Sequence, residues 1–171
     1  MNKILEDKFY EIVYSLSFIV RYSNVPRIRD EDVAQHSFFT SAIVVRLHER
    51  YEFDLGLALL AAVSHDLPES KIDDVSHAVK NRFPRVAKAL REAEHEVIKK
   101  LPPNFQKGIK IFESETIEGK ICRLADALQC YQYSKTELDL GNKGYMKHVY
   151  CKSTERCAKL IKELQEYERR N

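Results

Sequence analysis

Apolar residues recur three and four positions apart along most of the 171-residue chain, the period of helices that bury one face. The strict alternation of a half-buried strand is nearly absent. Leu5, Phe9, Ile12, Leu16 and Ile19 form one stripe, which predicts a first helix over Ile4 to Tyr22 that stops before the loop Ser23 to Asp32, where Pro26 sits. A second helix is expected from about Val33 to Tyr51. Asp54 is placed to N-cap a third through Leu55, Leu59, Ala62 and Val63, ending near Pro68, because proline disfavours helix in the residue before it. Pro84 suits the first turn of a helix reaching about Leu101, and the Pro102-Pro103 pair then breaks the chain ahead of a short helical piece. A long helix from about Thr116 to Leu140 is separated by Gly141 and Gly144 from a final helix ending near Glu168. The pattern predicts an all-α chain of about six or seven helices, and its length suits a single domain over residues 1–171.

Composition narrows the possibilities further. An apolar share of 44% with 32% charged residues is enough to bury a core without staples. The 28 basic and 26 acidic residues are mixed along the chain and leave a net charge of +2, which argues against a dedicated nucleic-acid binder. No apolar run approaches the roughly 18 residues that span a bilayer, and Met1 to Tyr10 is too charged for a signal peptide. The expectation is a cytoplasmic protein with neither nucleic acid nor membrane as a partner. Cys122, Cys130, Cys151 and Cys157 form no CxxC pair and fall on helical segments, so they read as buried free thiols.

Chemistry enters where the apolar pattern is broken. His65-Asp66 closes an otherwise apolar helix, and Glu69 follows one turn after His65. Three polar groups stand where a core would want none, and such groups need partners. His36 adds a second imidazole at the start of a neighbouring helix, and Asp126 interrupts the apolar face of the long helix between Ala125 and Ala127. Two imidazoles with two carboxylates suit one divalent transition metal, whether manganese, cobalt, nickel or zinc, better than the oxygen-seeking calcium or magnesium.

The order His36, His65-Asp66, Asp126 resembles the H…HD…D pattern of the HD-domain phosphohydrolases. The similarity extends through Arg21-Tyr22, Val33-Ala34-Gln35-His36-Ser37, His65-Asp66-Leu67-Pro68-Glu69, Asp74-Val75 with Val79-Lys80, and Leu124-Ala125-Asp126-Ala127-Leu128. Together these segments look like the bacterial YfbR-type 5'-deoxynucleotidases, a group that includes small phage-type members. The resemblance implies an HD-domain helical bundle and a metal held by His36, His65, Asp66 and Asp126. It implies that Glu69 acts on the attacking water or the leaving group, that Arg21 grips the phosphate, that Asp74 contacts the sugar 3'-hydroxyl and that Lys80 offsets phosphate charge. Tyr22 stands where the family often has tryptophan and would stack on sugar or base. The implied reaction is attack of metal-activated water on the phosphorus of a deoxynucleoside monophosphate, by a homodimer or higher homo-oligomer acting on a small-molecule deoxynucleotide.

Some positions depart from the pattern. Gln35 replaces the glutamate usual before the first histidine, which predicts a weaker hold on His36 or an altered ligand basicity. Asp73 replaces a common glycine, and His77 stands where a smaller residue or proline is usual. One alternative is a deoxynucleoside triphosphohydrolase that releases triphosphate, with Arg27, Arg29 or Arg82 meeting the longer phosphate chain. Another is a nucleotide-sensing protein without catalysis. His48, His95 and His148 sit among charged neighbours and read as solvated, while Tyr131, Tyr133, Tyr145 and Tyr150 read as packing residues.

Overall fold

The computed structural model describes residues 4–169, the side chains of His77 and Ala78 excepted, so the question of whether His77 reaches a pocket lies outside it. The elements are α1 (Phe9–Ser15), a 3-10 turn (Leu16–Phe18), α2 (Val33–Leu47), α3 (Leu55–Ser64), α4 (Glu69–Ile72), α5 (His77–Arg82), α6 (Pro84–Ile98), α7 (Pro103–Glu113), α8 (Ile117–Asp139) and α9 (Tyr145–Glu168). Among the described residues no strand forms, and one isolated bridge joins Val20 to Asp32. This is the all-α bundle that the periodicity predicts, with the short α4 and α5 added on either side of the loop at Asp73–Ser76.

Local chemistry sets the boundaries. The side chains of Asp32, Asp54 and Thr116 accept from the backbone N–H groups of Gln35, Leu57 and Gly119 and so start α2, α3 and α8. Prolines 84 and 103 occupy the first turns of α6 and α7, where a missing N–H costs nothing. The piece after Pro102 is a full helix of 11 residues rather than a short turn.

The N-terminal segment differs from its predicted single helix. It ends at Ser15, tightens through Leu16–Phe18 and is extended by Ile19, whose backbone has φ −94° and ψ 103°. Val33 N–H donates to Ile19 O at 3.0 Å and Arg21 N–H to Glu31 O at 2.9 Å. Pairing with the returning chain therefore overrides the helical pattern for two β-branched residues, Ile19 and Val20. Its consequence is functional, since it sets Arg21 beside Glu31. Buried Glu137 on α8 fastens the intervening loop by accepting from the N–H groups of Ile28 and Arg29, each at 2.8 Å, and from Asn142 Nδ2 at 2.7 Å.

The main core lies between α2, α3, α8 and α9, with Val44, Ala61, Ala62, Ile121, Leu124, Ala125, Leu160 and Leu164 buried. Alanines at 58, 61, 62, 125 and 127 are fully enclosed, and their small size lets α3 and α8 approach closely. A second cluster of Leu16, Val33, Leu67, Leu101 and Ile109 packs beneath the N-terminal segment. Full burial of each large apolar side chain contributes about 1.5–3 kcal/mol. The two clusters flank the point where the ends of α2 and α3 meet the middle of α8. Among the described residues no helix is long and apolar enough to cross a membrane.

Candidate metal centre and its cleft

α2, α3 and α8 each bring a polar side chain to one point. His36, in the first turn of α2, faces His65, the residue that closes α3, with their Nε2 atoms 3.3 Å apart. Asp126 Oδ1 from α8 lies 3.3 Å from His36 Nε2. Asp66 Oδ2 lies 3.4 Å from His36 Nε2 and 3.2 Å from His65 Nε2. One donor atom each from His36, His65 and Asp126 falls within 4.8 Å of the others, and Asp66 adjoins the same point from its own side.

The donors fit a transition-metal ion. Bonds of about 2.0–2.2 Å in a tetrahedral or octahedral shell space neighbouring ligand atoms about 3.0–3.5 Å apart, which is the spacing found. Proton placement fits too. His65 Nδ1 contacts the Ala62 carbonyl at 2.8 Å, and because a carbonyl only accepts, Nδ1 carries the proton and Nε2 of the neutral ring presents a lone pair. His36 Nδ1 contacts Gln129 Oε1 at 2.7 Å. Gln129 must present its oxygen there because its amide nitrogen donates to Glu31 Oε1.

Glu31 and Gln129, both buried, therefore hold His36, and sequence reasoning missed both. Gln35 is exposed on the outer side of α2, so the expected weakening of His36 through the loss of a glutamate at that position does not arise. Arg21 occupies the same corner: its Nη1 is 2.8 Å from Glu31 Oε2, 3.0 Å from Gln129 Oε1 and 2.6 Å from His36 Nδ1. Gln129 sits on α8 among Asp126, Ser134 and Glu137, polar residues that are all buried.

The centre opens into a cleft of about 740 Å³, within the range of small-molecule sites. Arg21, Tyr22, Glu69, Asp74 and Lys80 line it beside His36, Asp66 and Asp126, so every residue singled out on the family pattern reaches one place except that His65 lies behind the wall, 9% exposed. Arg27, Arg29 and Arg82, the residues weighed for a longer phosphate chain, are absent from the lining. Arg27 instead pairs with Asp30 at 2.6 Å. α9 supplies a further wall of Tyr145, His148, Lys152 and Arg156, so His148 and Tyr145 face the cleft rather than acting only as a solvated or packing group. Cys130 lines it as well, while Cys151 is exposed; of the four thiols only Cys122 and Cys157 are buried as expected. Tyr22 stacks on Tyr133 with centroids 5.2 Å apart, and Tyr131 packs on Tyr150 at 5.2 Å.

The protein's own charges tune these groups. In the metal-free protein burial works to raise the Asp66 carboxyl, but the charge and hydrogen bond of a protonated His65 bring it down to about 2. Asp126 is held well below the usual carboxylate range, because the His36 hydrogen bond and the Arg156 charge outweigh burial. Glu69 moves the opposite way: burial, then the charges of Asp66 and Asp74, push it up to about 9. Its Oε2 is buried without a hydrogen-bond partner among the described residues. Without a cation this group keeps its proton at neutral pH; a cation beside Asp66 would offset the charge that raises it and free the carboxylate to take a proton from a bound molecule.

A model of the 5'-deoxynucleotidase YfbR-like family matches residues 8–169. The chain belongs to that family. Its fold is shared with solved structures. A protein from Pyrococcus horikoshii OT3 superposes with a TM-score of 0.77 at 24% identity, covering 92% of this chain and 93% of the other. A conserved hypothetical protein from Pyrococcus furiosus gives 0.75 at 23% identity, over 96% and 99%. An HD-domain phosphohydrolase from Listeria innocua gives 0.73 at 17% identity, over 94% and 83%. Comparison with curated proteins returned no match. Family membership and the shared fold agree, and His36, His65 and Asp126 form a group that could hold a metal ion.

Proposed function

We propose that this protein is a metal-dependent 5'-deoxynucleotidase, converting deoxynucleoside monophosphates to deoxynucleosides and orthophosphate. The observation that carries the reading is the placement of Glu69: a buried carboxylate with an unpartnered oxygen, facing a cleft, one turn after the first of two adjacent ligands. His36, His65, Asp66 and Asp126 would hold the cation. When bound there, manganese, cobalt, nickel or zinc supplies Lewis acidity to a phosphoryl oxygen and lowers the pKa of water toward roughly 7. Glu69 orients the attacking water and accepts its proton, a contribution typically near 100- to 10,000-fold; the Asp66 charge that raises its pKa is the charge a cation offsets. Lys80 and Arg21 bring positive charge to the phosphate end, Asp74 accepts from a sugar hydroxyl, and Tyr22 offers a ring face at the rim.

A binding-only protein has no use for a carboxylate arranged to handle water, which favours the enzyme over the nucleotide sensor. The deciding experiment is product analysis on chelator-stripped protein given cobalt, manganese, zinc or magnesium, with deoxy- and ribonucleoside mono- and triphosphates as substrates. Orthophosphate from the deoxy monophosphates, abolished in Asp66→Ala, is the expected result. Tripolyphosphate from triphosphates would replace this reading with triphosphohydrolysis, and no turnover with any substrate would leave a binding protein.

A further inference from the structure

Arg21 is partly engaged by its neighbours. Its side chain is 12% exposed, its Nη1 donates to Glu31 and Gln129 and lies against His36 Nδ1, and its Nη2 lies 3.5 Å from Cys130 Sγ. Glu31 and Gln129 thus occupy its Nη1, and Glu31 offsets part of its charge. A second guanidinium stands on the open side. Along α9, Tyr145, His148, Val149, Lys152, Ser153 and Arg156 all line the cleft, a three-and-four spacing that marks one helix face. Met146, Cys157, Leu160 and Leu164 are buried toward the core. Lys152 on this face pairs with Glu155 at 3.5 Å, which leaves Arg156 as the cation of this face that contacts a ligand.

Arg156 Nη2 lies 2.8 Å from Asp126 Oδ2, with its side chain 43% exposed. Asp126 directs its other oxygen, Oδ1, toward His36 Nε2 at 3.3 Å. One carboxylate thus spans the centre and the guanidinium, and places Arg156 a carboxylate's width from the point where the four ligands converge. A guanidinium has five N–H donors in a rigid fork. Only the Nη2 bond to Asp126 engages Arg156 among the described residues, so the rest of the fork is open to the cleft and suited to two phosphoryl oxygens.

We propose that Arg156 is a phosphate-binding residue of this cleft, anchored by Asp126, and that it shares the phosphate end with Arg21. The substrate class is a phosphate monoester whose phosphoryl oxygens reach both the metal position and the α9 wall. The proposal rests on the phosphohydrolase reading for its substrate, but its test does not depend on turnover.

The probe is inorganic phosphate, titrated calorimetrically into manganese-loaded wild type and Arg156→Met, with bound manganese counted in each. The expected result is phosphate binding to the wild type, weakened roughly 10- to 100-fold in Arg156→Met as befits a lost charge-assisted hydrogen bond, with manganese content unchanged. Arg156→Lys should recover part of the affinity, and it serves as the reading should Arg156→Met fail to fold. Absence of phosphate binding in the wild type, equal binding in wild type and variants, or loss of manganese in place of phosphate would each overturn the proposal. If Arg156→Met loses phosphate while the wild type hydrolyses no nucleotide, the assignment of Arg156 stands and the nucleotidase reading falls.

Discussion

Gln129 Oε1 lies 2.7 Å from His36 Nδ1, and the amide is held in that sense by its donation to buried Glu31. The chain Glu31–Gln129–His36 fixes which imidazole nitrogen carries the proton and leaves Nε2 facing Asp66 and Asp126. Partners of this kind typically change metal affinity 10- to 100-fold when removed. Gln129→Leu keeps the volume, removes the acceptor and is expected to loosen manganese or cobalt by roughly that factor, as read by competition with a chromogenic chelator. Undiminished affinity would mean that Gln129 contributes only packing.

Glu69 makes the metal-free protein sensitive to alkali. With its carboxyl pushed up to about 9 by burial and by Asp66 and Asp74, the folded chain retains a proton that the unfolded chain has released above its ordinary carboxyl range. Folding then favours the protonated form, so this contribution is complete at acid pH and is lost as pH rises toward about 9. Chelator-treated wild type should melt lower at about pH 8.5 than at about pH 6, and Glu69→Gln should flatten the decline by a few degrees, since ~1 kcal/mol corresponds to about 2–4 °C at this chain length. Parallel melting curves for the two proteins across that range would refute the assignment.

His65-Asp66 was legible in the sequence because Pro68 forces α3 to end there, and Asp126 because a carboxylate inside an apolar helical face needs a partner. The caps at Asp32, Asp54 and Thr116 are local, and local rules govern helix starts. Glu31 and Gln129 were not legible, because their roles arise only when Ile19 and Val20 pair with the returning chain, a tertiary contact 13 or so residues ahead that no helical period encodes. Arg156 and His148 were hidden differently. A charged residue on a helix is ordinarily solvated, and only the packing of α9 along α8 turns that face toward the centre.

Asp73 stands in a conformation that suits glycine. It closes α4 with φ 58° and ψ 168°, a region reserved almost wholly for glycine and costing other residues on the order of 1–3 kcal/mol. The glycine common at this position in the family that the sequence resembles has the same physical reason. Asp73→Gly should raise the melting temperature by about 2–4 °C, equivalent to ~1 kcal/mol, and Asp73→Val should lower it. A destabilised glycine variant would show that the aspartate side chain makes a compensating contact. Because Asp74 follows directly, relief of the strain should also register in KM for a deoxynucleotide more than in kcat.

Gly108 lies where α7 crosses α3, and a methyl group there would come within 2.3 Å of Ser64 Oγ and 2.6 Å of the Leu60 carbonyl. The Ser64 hydroxyl is itself bonded to that carbonyl at 2.5 Å, so neither obstacle can rotate away and the helices must part. Overpacking of this sort costs about 1–3 kcal/mol, and Gly108→Ala should lower the melting temperature by several degrees. Ser64 directly precedes His65, and Phe112 on α7 packs its ring 4.9 Å from the His65 imidazole. Displacing α7 therefore disturbs both the backbone that carries His65 and the ring that supports it. Metal affinity, measured by the same chelator competition, should fall along with stability. A protein that melts early yet binds metal as tightly as wild type would show that the end of α3 keeps its position without α7, and that the support for His65 comes from α2 and α8 alone.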